Sequence, residues 1–248
     1  MEERKCIRME KGLKRKGKPV VFVALFLMAV SAFRTEEVTR SISRETVLET
    51  VSEGVISKEP AEEDRMKIAL TFDDGPHPVY TPRLLDGLKE RGVKASFFVV
   101  GENAKDNPGL IERMYEEGHL IGNHTYSHVQ LTGIPEEEAC EELLKTSREV
   151  EKITGEHLEY VRPPFGSWND RLDCDILMIP VLWSVDSRDW TTTNVSEIVQ
   201  RVVTQAREND IILMHDYYAS SVEAALQIVD QLKERGYEFV TADELIVN

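Results

Sequence analysis

Cysteine is scarce in this chain: three in 248 residues, at positions 6, 140 and 174. No two stand at the short spacing of a metal-binding cysteine motif, which excludes a thiolate-ligated site. Cys140 and Cys174 are left as buried thiols or a bridge, and no function is read into them. Long apolar runs are also missing. The most apolar stretch, residues 20–30, falls short of the ~20 residues that a membrane-spanning helix needs. Basic residues are few beyond position 18. The first 18 residues hold eight Lys/Arg against three Glu, a net +5, so the remainder carries −20 of the total −15. A body that acidic excludes a phosphate-neutralising surface, so no nucleic-acid partner is expected.

The same poverty is informative at the N-terminus. A lysine-rich start, an uncharged run and then Ser31-Ala32-Phe33 have the order of an export signal, with small residues set for cleavage after Ala32. Without cleavage the segment would act as a signal anchor. Residues 1–32 are therefore expected to be an export signal or anchor, and the protein extracellular or at the cell surface. Residues 33–65 are acidic, rich in Ser, Thr and Glu and poor in aromatics, which predicts a flexible linker. Residues 66–248 form the remaining, globular domain.

From Met66 onward, short β-branched or aromatic runs alternate with amphipathic stretches opened by Pro or closed by Gly. Strands are predicted at 68–72, 95–100, 120–123, 160–162, 181–185, 211–214 and 237–240. Helices are predicted at 81–91, 108–117, 135–154, 195–208 and 222–235. Alternation of this kind is the pattern of βα units around a mainly parallel sheet.

Five of the predicted strands end in residues suited to chemistry. Thr71-Phe72-Asp73-Asp74-Gly75-Pro76 puts two carboxylates at a strand end, a pattern that a capped turn also shows. In His124-Thr125-Tyr126-Ser127-His128, histidines at i and i+4 can reach one cation, and a carboxylate from Asp73 or Asp74 would complete a site with open positions. The others are Arg162-Pro163-Pro164-Phe165-Gly166, Asp186-Ser187-Arg188-Asp189-Trp190 and His215-Asp216. In a β/α barrel the active site lies at the C-terminal strand ends, so all five would converge. His77, His119 and His157 match no such string and read as surface or hydrogen-bonded structural residues. Trp168, Trp183 and Tyr217 suit packing as well as they suit sugar stacking.

In this order the five strings resemble the motif set of the NodB-type polysaccharide deacetylases, carbohydrate esterase family 4, over residues 66–248. Within it, 183–190 and 213–216 are most similar to bacterial peptidoglycan N-acetylglucosamine deacetylases. The resemblance implies a distorted (β/α) barrel of about seven parallel strands, α/β in class. It implies one divalent metal ion, zinc, with cobalt, nickel or manganese as alternatives, held by Asp74, His124 and His128. Asp73 would be the general base, held by Arg162. His215 would be the general acid, oriented by Asp189. Phe165 would contribute its N–H to the oxyanion, and Trp190 and Leu213 would wall the acetyl pocket. Many relatives have Tyr where Phe165 stands, and a backbone role survives that change.

The implied reaction is hydrolysis of N-acetyl groups of an amino-sugar polymer. The implied partners are a polysaccharide and the wall or membrane surface, with no obligate protein partner. Amide chemistry requires the same roles: a poor electrophile and a poor nucleophile must both be activated, and an amine leaves only when protonated. Rival readings are an O-acetyl esterase acting on xylan, a chitin or chito-oligosaccharide deacetylase, a non-catalytic glycan-binding protein and an oxygen-using iron protein.

Overall fold

The computed structural model of the protein describes residues 65–168, 172, 174 and 177–246, all within a compact unit, Ile56–Asn248. The expected export signal and all of the expected linker but Arg65 lie outside the described residues. Among those described, no helix is long and apolar enough to cross a membrane.

The first strand, β1 (Met66–Asp73), is buried on both faces from Ile68 on, as a central parallel strand must be. It is followed by α1 (Tyr80–Glu90), β2 (Ser96–Val99), α2 (Gly101–Asp106), α3 (Pro108–Glu116), β3 (Leu120–Asn123), α4 (Glu136–Thr154) and β4 (Tyr160–Val161). Then come β5 (Ile179–Pro180), β6 (Val185–Asp186), α5 (Val195–Gln205), β7 (Ile211–His215), α6 (Ala219–Glu234), β8 (Tyr237–Val240) and α7 (Ala242–Ile246). All pairings are parallel, in the order β5-β4-β3-β2-β1-β7-β6. Strand β8 pairs with the first half of β1, on Met66 to Ala69, while β7 takes Ala69 to Asp73. Among the described residues β5 and β6 do not pair, so the sheet curls into a barrel that stays open there.

Alternation along β1 sorts its side chains. Ile68, Leu70 and Phe72 pack outward in one core with Leu84, Leu85 and Leu88 of α1 and Ile228 and Val229 of α6. Truncating one of these buried leucines to Ala typically costs about 2–5 kcal/mol. Ala69 belongs to a second, inner cluster with Phe98, Tyr160 and Val181. Gly122 of β3 is required there: a Cβ at that position would lie 2.4 Å from the Phe98 ring. Thr71 and Asp73 follow Ala69 on this face, so it turns polar toward the C-terminal end of the strand.

Two expectations are corrected. The strand expected over 181–185 is two short strands on either side of it, because the Val181 and Leu182 carbonyls accept hydrogen bonds from Arg162 Nε (3.0 Å) and Nη2 (3.3 Å). That makes eight strands where about seven were expected. The short α2 and α7 were not anticipated. Cys140 on α4 is bridged to Cys174, which settles the alternative left open by the sequence.

Candidate active site

Strand register brings the chemistry together. Asp73 at the end of β1 lies beside His215 at the end of β7, and Leu213 beside Asp186 of β6. Partners in register on parallel strands face the same side, so these four side chains share one wall. Eight of the ten residues expected at the site, all but Arg162 and Asp189, line one cavity of about 360 Å³. Arg162 and Asp189 are buried behind it, each gripping a residue that lines it. The sequence assigned no role to two further lining residues, Trp183 and Asp186.

Arg162 has no exposed surface. Its Nη1 donates to Asp73 Oδ1 at 2.9 Å and to Thr71 Oγ1 at 2.6 Å, and the Thr71 hydroxyl donates to the Ile212 carbonyl. Its planar group lies 4.2 Å over the Phe98 ring. Burial pulls the guanidinium below its ordinary pKa, and Asp73 opposes that. A fork with fixed donors fills this position in a way that a lysine cannot.

The Arg162 carbonyl has a second use. It lies 2.6 Å from His124 Nδ1, and since a carbonyl only accepts, Nδ1 carries the proton. The Nε2 lone pair of His124 is thereby left bare and aimed into the cavity. Both His124 Nε2 and His128 Nε2 lie near Asp74 Oδ1, at 3.4 and 3.2 Å, and the ligand atoms of all three residues fall within 4.8 Å of one another. Asp74 Oδ1 is buried yet makes no hydrogen bond among the described residues. Burial raises the Asp74 pKa, but the two imidazoles outweigh it and hold the carboxyl well below the usual range. Two imidazole nitrogens and an orphaned carboxylate oxygen, converging with open space beyond them, fit a divalent ion with free positions.

Local backbone strain is concentrated here. Asp74, Thr125, His128, Phe165 and Arg188 all have positive φ, between 50° and 72°, though none is glycine. The loop from His124 to His128 is held from α4, where Glu142 Oε2 accepts from Tyr126 N, Ser127 N and Ser127 Oγ. Asn123, buried at the end of β3, accepts from Thr125 N and donates to the Leu143 carbonyl.

Across the cavity, Asp189 binds His215 through both oxygens. Burial lowers the His215 pKa, but Asp189 and the other carboxylates push it up, to about 9. Phe165 is 71% exposed and sits edge-on to His128 at 5.2 Å, on a left-handed backbone that turns its peptide toward the site. Trp190 is 60% exposed and Leu213 is buried.

Sequence reading did not single out Glu142, Asn123 or Thr71, nor the role of Asp216. The Asp216 carboxyl is fully buried, accepts a hydrogen bond from Thr81 Oγ1, and fills the space that a Gly75 Cβ would need. Burial drives its pKa up to about 7. His77 and His119 accept backbone N–H bonds, as structural histidines do, and His157 lies on the surface beside Glu151.

Comparison with known proteins agrees with this geometry. A family profile described as polysaccharide deacetylase matches residues 61–177. The peptidoglycan-N-acetylglucosamine deacetylase PgdA of Listeria monocytogenes is 41% identical over 186 residues, 75% of this chain and 40% of that protein. The chain thus spans well under half the length of that relative. A peptidoglycan-N-acetylglucosamine deacetylase of Bacillus cereus is 38% identical over 187 residues, 72% of this chain and 87% of the relative. The solved structure of the peptidoglycan deacetylase PdaC of Bacillus subtilis superposes with a TM-score of 0.72 at 41% identity, covering 75% of this chain and 92% of that one. On this evidence the chain belongs to the polysaccharide deacetylase family.

Proposed function

We propose that the protein is an exported, zinc-dependent hydrolase that removes the N-acetyl group from N-acetylglucosamine residues of peptidoglycan, releasing acetate. One observation carries this reading: a carboxylate held by Arg162 and an imidazole held by Asp189 flank the same cavity as a convergent Asp-His-His group. A divalent ion held by Asp74, His124 and His128 would polarise the acetamide carbonyl and lower the pKa of the attacking water.

Asp73, fixed by Arg162, accepts the proton of that water. The N–H of Phe165 donates to the oxyanion that forms at the carbonyl. His215, kept protonated by Asp189, donates from Nε2 to the departing nitrogen, since an amine anion cannot leave unaided. Leu213 and Trp190 enclose the acetyl methyl. Export is supported by the basic-then-apolar N-terminus and by the Cys140–Cys174 bridge, which belongs in an oxidising compartment. The wall surface would then be the place of action.

The test is acetate release from purified wall polymer with and without chelator, run beside acetylated xylan and chito-oligomers. Faster release from xylan would move the reading to an O-acetyl esterase. No metal-dependent release from any acetylated glycan would overturn it.

A further inference from the structure

A second hollow of about 440 Å³ lies on the far side of Trp190 from the catalytic cavity. Trp190 lines both. The other walls are Thr191, Thr192 and Thr193 on one side and Tyr218 and Ser220 at the start of α6 on the other. Asp189 reaches it too, and the same carboxylate grips His215. The two spaces are therefore one side chain apart.

The lining has the chemistry of a sugar site. Trp190 (60% exposed) and Tyr218 (45%) offer large aromatic surfaces to solvent, with Tyr217 packed edge-on to Tyr218. Exposing that much aromatic surface is unfavourable unless something covers it, and the C–H faces of a pyranose ring suit the purpose. The polar groups are hydroxyls. Thr191 Oγ1 donates to the Arg188 carbonyl at 2.7 Å and keeps its acceptor capacity, and the Thr193 and Ser220 hydroxyls add more. Asp189, already committed to His215, is the one charged side chain among the lining residues. A neutral, hydroxyl-rich ring fits this lining, and an ionic ligand does not.

The hollow is also preformed. Thr191 N donates to the Arg188 carbonyl, Arg201 Nη1 donates to the Ser187 carbonyl, and Asn194 caps α5 through Glu197 N, so the 187–194 segment is tied at both ends. A site held in shape before binding loses less conformational entropy when it is filled. Its volume lies in the range of ordinary ligand pockets.

We propose that this hollow is a subsite for the sugar next to the one that reacts, so that the glycan crosses Trp190 with one ring on each side. The inference rests on the function proposed above and deepens it: the enzyme reads a polymer segment of at least two residues and not a single sugar.

The experiment uses the full chain loaded with zinc and N-acetylchito-oligosaccharides of one to five residues. Wild type should show kcat/KM rising at least tenfold between the shortest oligomer hydrolysed and the pentamer. Tyr218→Ala should lower the pentamer value about tenfold, mainly through KM, and flatten the length dependence. Ser220→Phe, which fills the hollow from its other wall, should do the same. A flat dependence in wild type, or variants that shift all lengths equally or none, would overturn the subsite while leaving the reaction intact. Absence of acetate release from every oligomer would instead strike the parent reading. Calorimetric titration of the pentamer into wild type and Tyr218→Ala then decides the subsite by itself, since equal affinities would remove it.

Discussion

Asp189 holds His215 at two points: Oδ1 lies 2.7 Å from the ring Nδ1, and Oδ2 accepts the His215 backbone N–H at 2.9 Å. Both oxygens of a buried carboxylate are thus spent on one residue, which fixes the ring and favours its charged form. The His215 pKa is about 9, above its ordinary value, so the imidazole carries its proton through neutral pH. A nearby divalent ion would pull that figure down. The rate should therefore fall as pH rises through a limb at or below pH 9. Asp189→Asn should move this limb toward acid and lower kcat most above pH 8, with a smaller loss near pH 6. A pH profile of kcat for both proteins checks it, and an unmoved limb would separate the two residues functionally. The same interaction adds to stability below the unfolded histidine value of 6.5, an addition lost as pH rises through the folded value.

Asp73 and Asp74 are adjacent in sequence but do different work. Asp73 Oδ1 is taken up by Arg162, whereas Asp74 Oδ1 faces two histidines without a hydrogen bond. Asp73→Asn keeps an acceptor for Arg162 and loses the base, so turnover should fall by about 10²–10⁴ with metal content unchanged. His124→Ala should lose the metal instead. Elemental analysis of the two purified variants distinguishes the roles, and equal metal loss in both would overturn the division.

Arg162 serves four acceptors from one planar group: Asp73, Thr71 and the carbonyls of Val181 and Leu182. Arg162→Ala would leave a buried carboxylate without its partner, at a cost of about 3–5 kcal/mol. Arg162→Lys restores charge without the fork and should recover part of the stability and little of the activity. Denaturant unfolding and acetate release, measured on both variants, give the two readings. Full activity in the lysine variant would show that charge alone holds Asp73.

Much of this arrangement was legible before any coordinates. Pro108 opens α3, and Gly155, with φ of 78°, ends α4, so Pro and Gly punctuation marked those elements correctly. The five polar strings stood out because each follows an apolar strand. What could not be read was tertiary in origin. The 181–185 segment has the composition of a strand, but its carbonyls are claimed by a residue some twenty positions earlier. The six residues of α2 are too few to show a helical period. Glu142 is a glutamate among many on an amphipathic helix, and only folding places it beneath residues 126 and 127.

Glu142 gives a prediction that the motifs would not. Its Oε2 accepts three hydrogen bonds from the stretch that separates the two histidines, in a loop where Thr125 and His128 both have positive φ. A strained loop stays in place only while its surroundings hold it, and here one carboxylate oxygen from α4 supplies much of that hold. Residues that orient metal ligands typically matter by about 10–100-fold in affinity. Glu142→Ala should therefore weaken metal binding by about that factor while Asp74, His124 and His128 are all present. Glu142→Gln, which keeps an acceptor oxygen, should lose much less. Competition with a chromophoric chelator measures both. If the alanine variant binds metal as tightly as wild type, the loop is held from within and α4 only covers it.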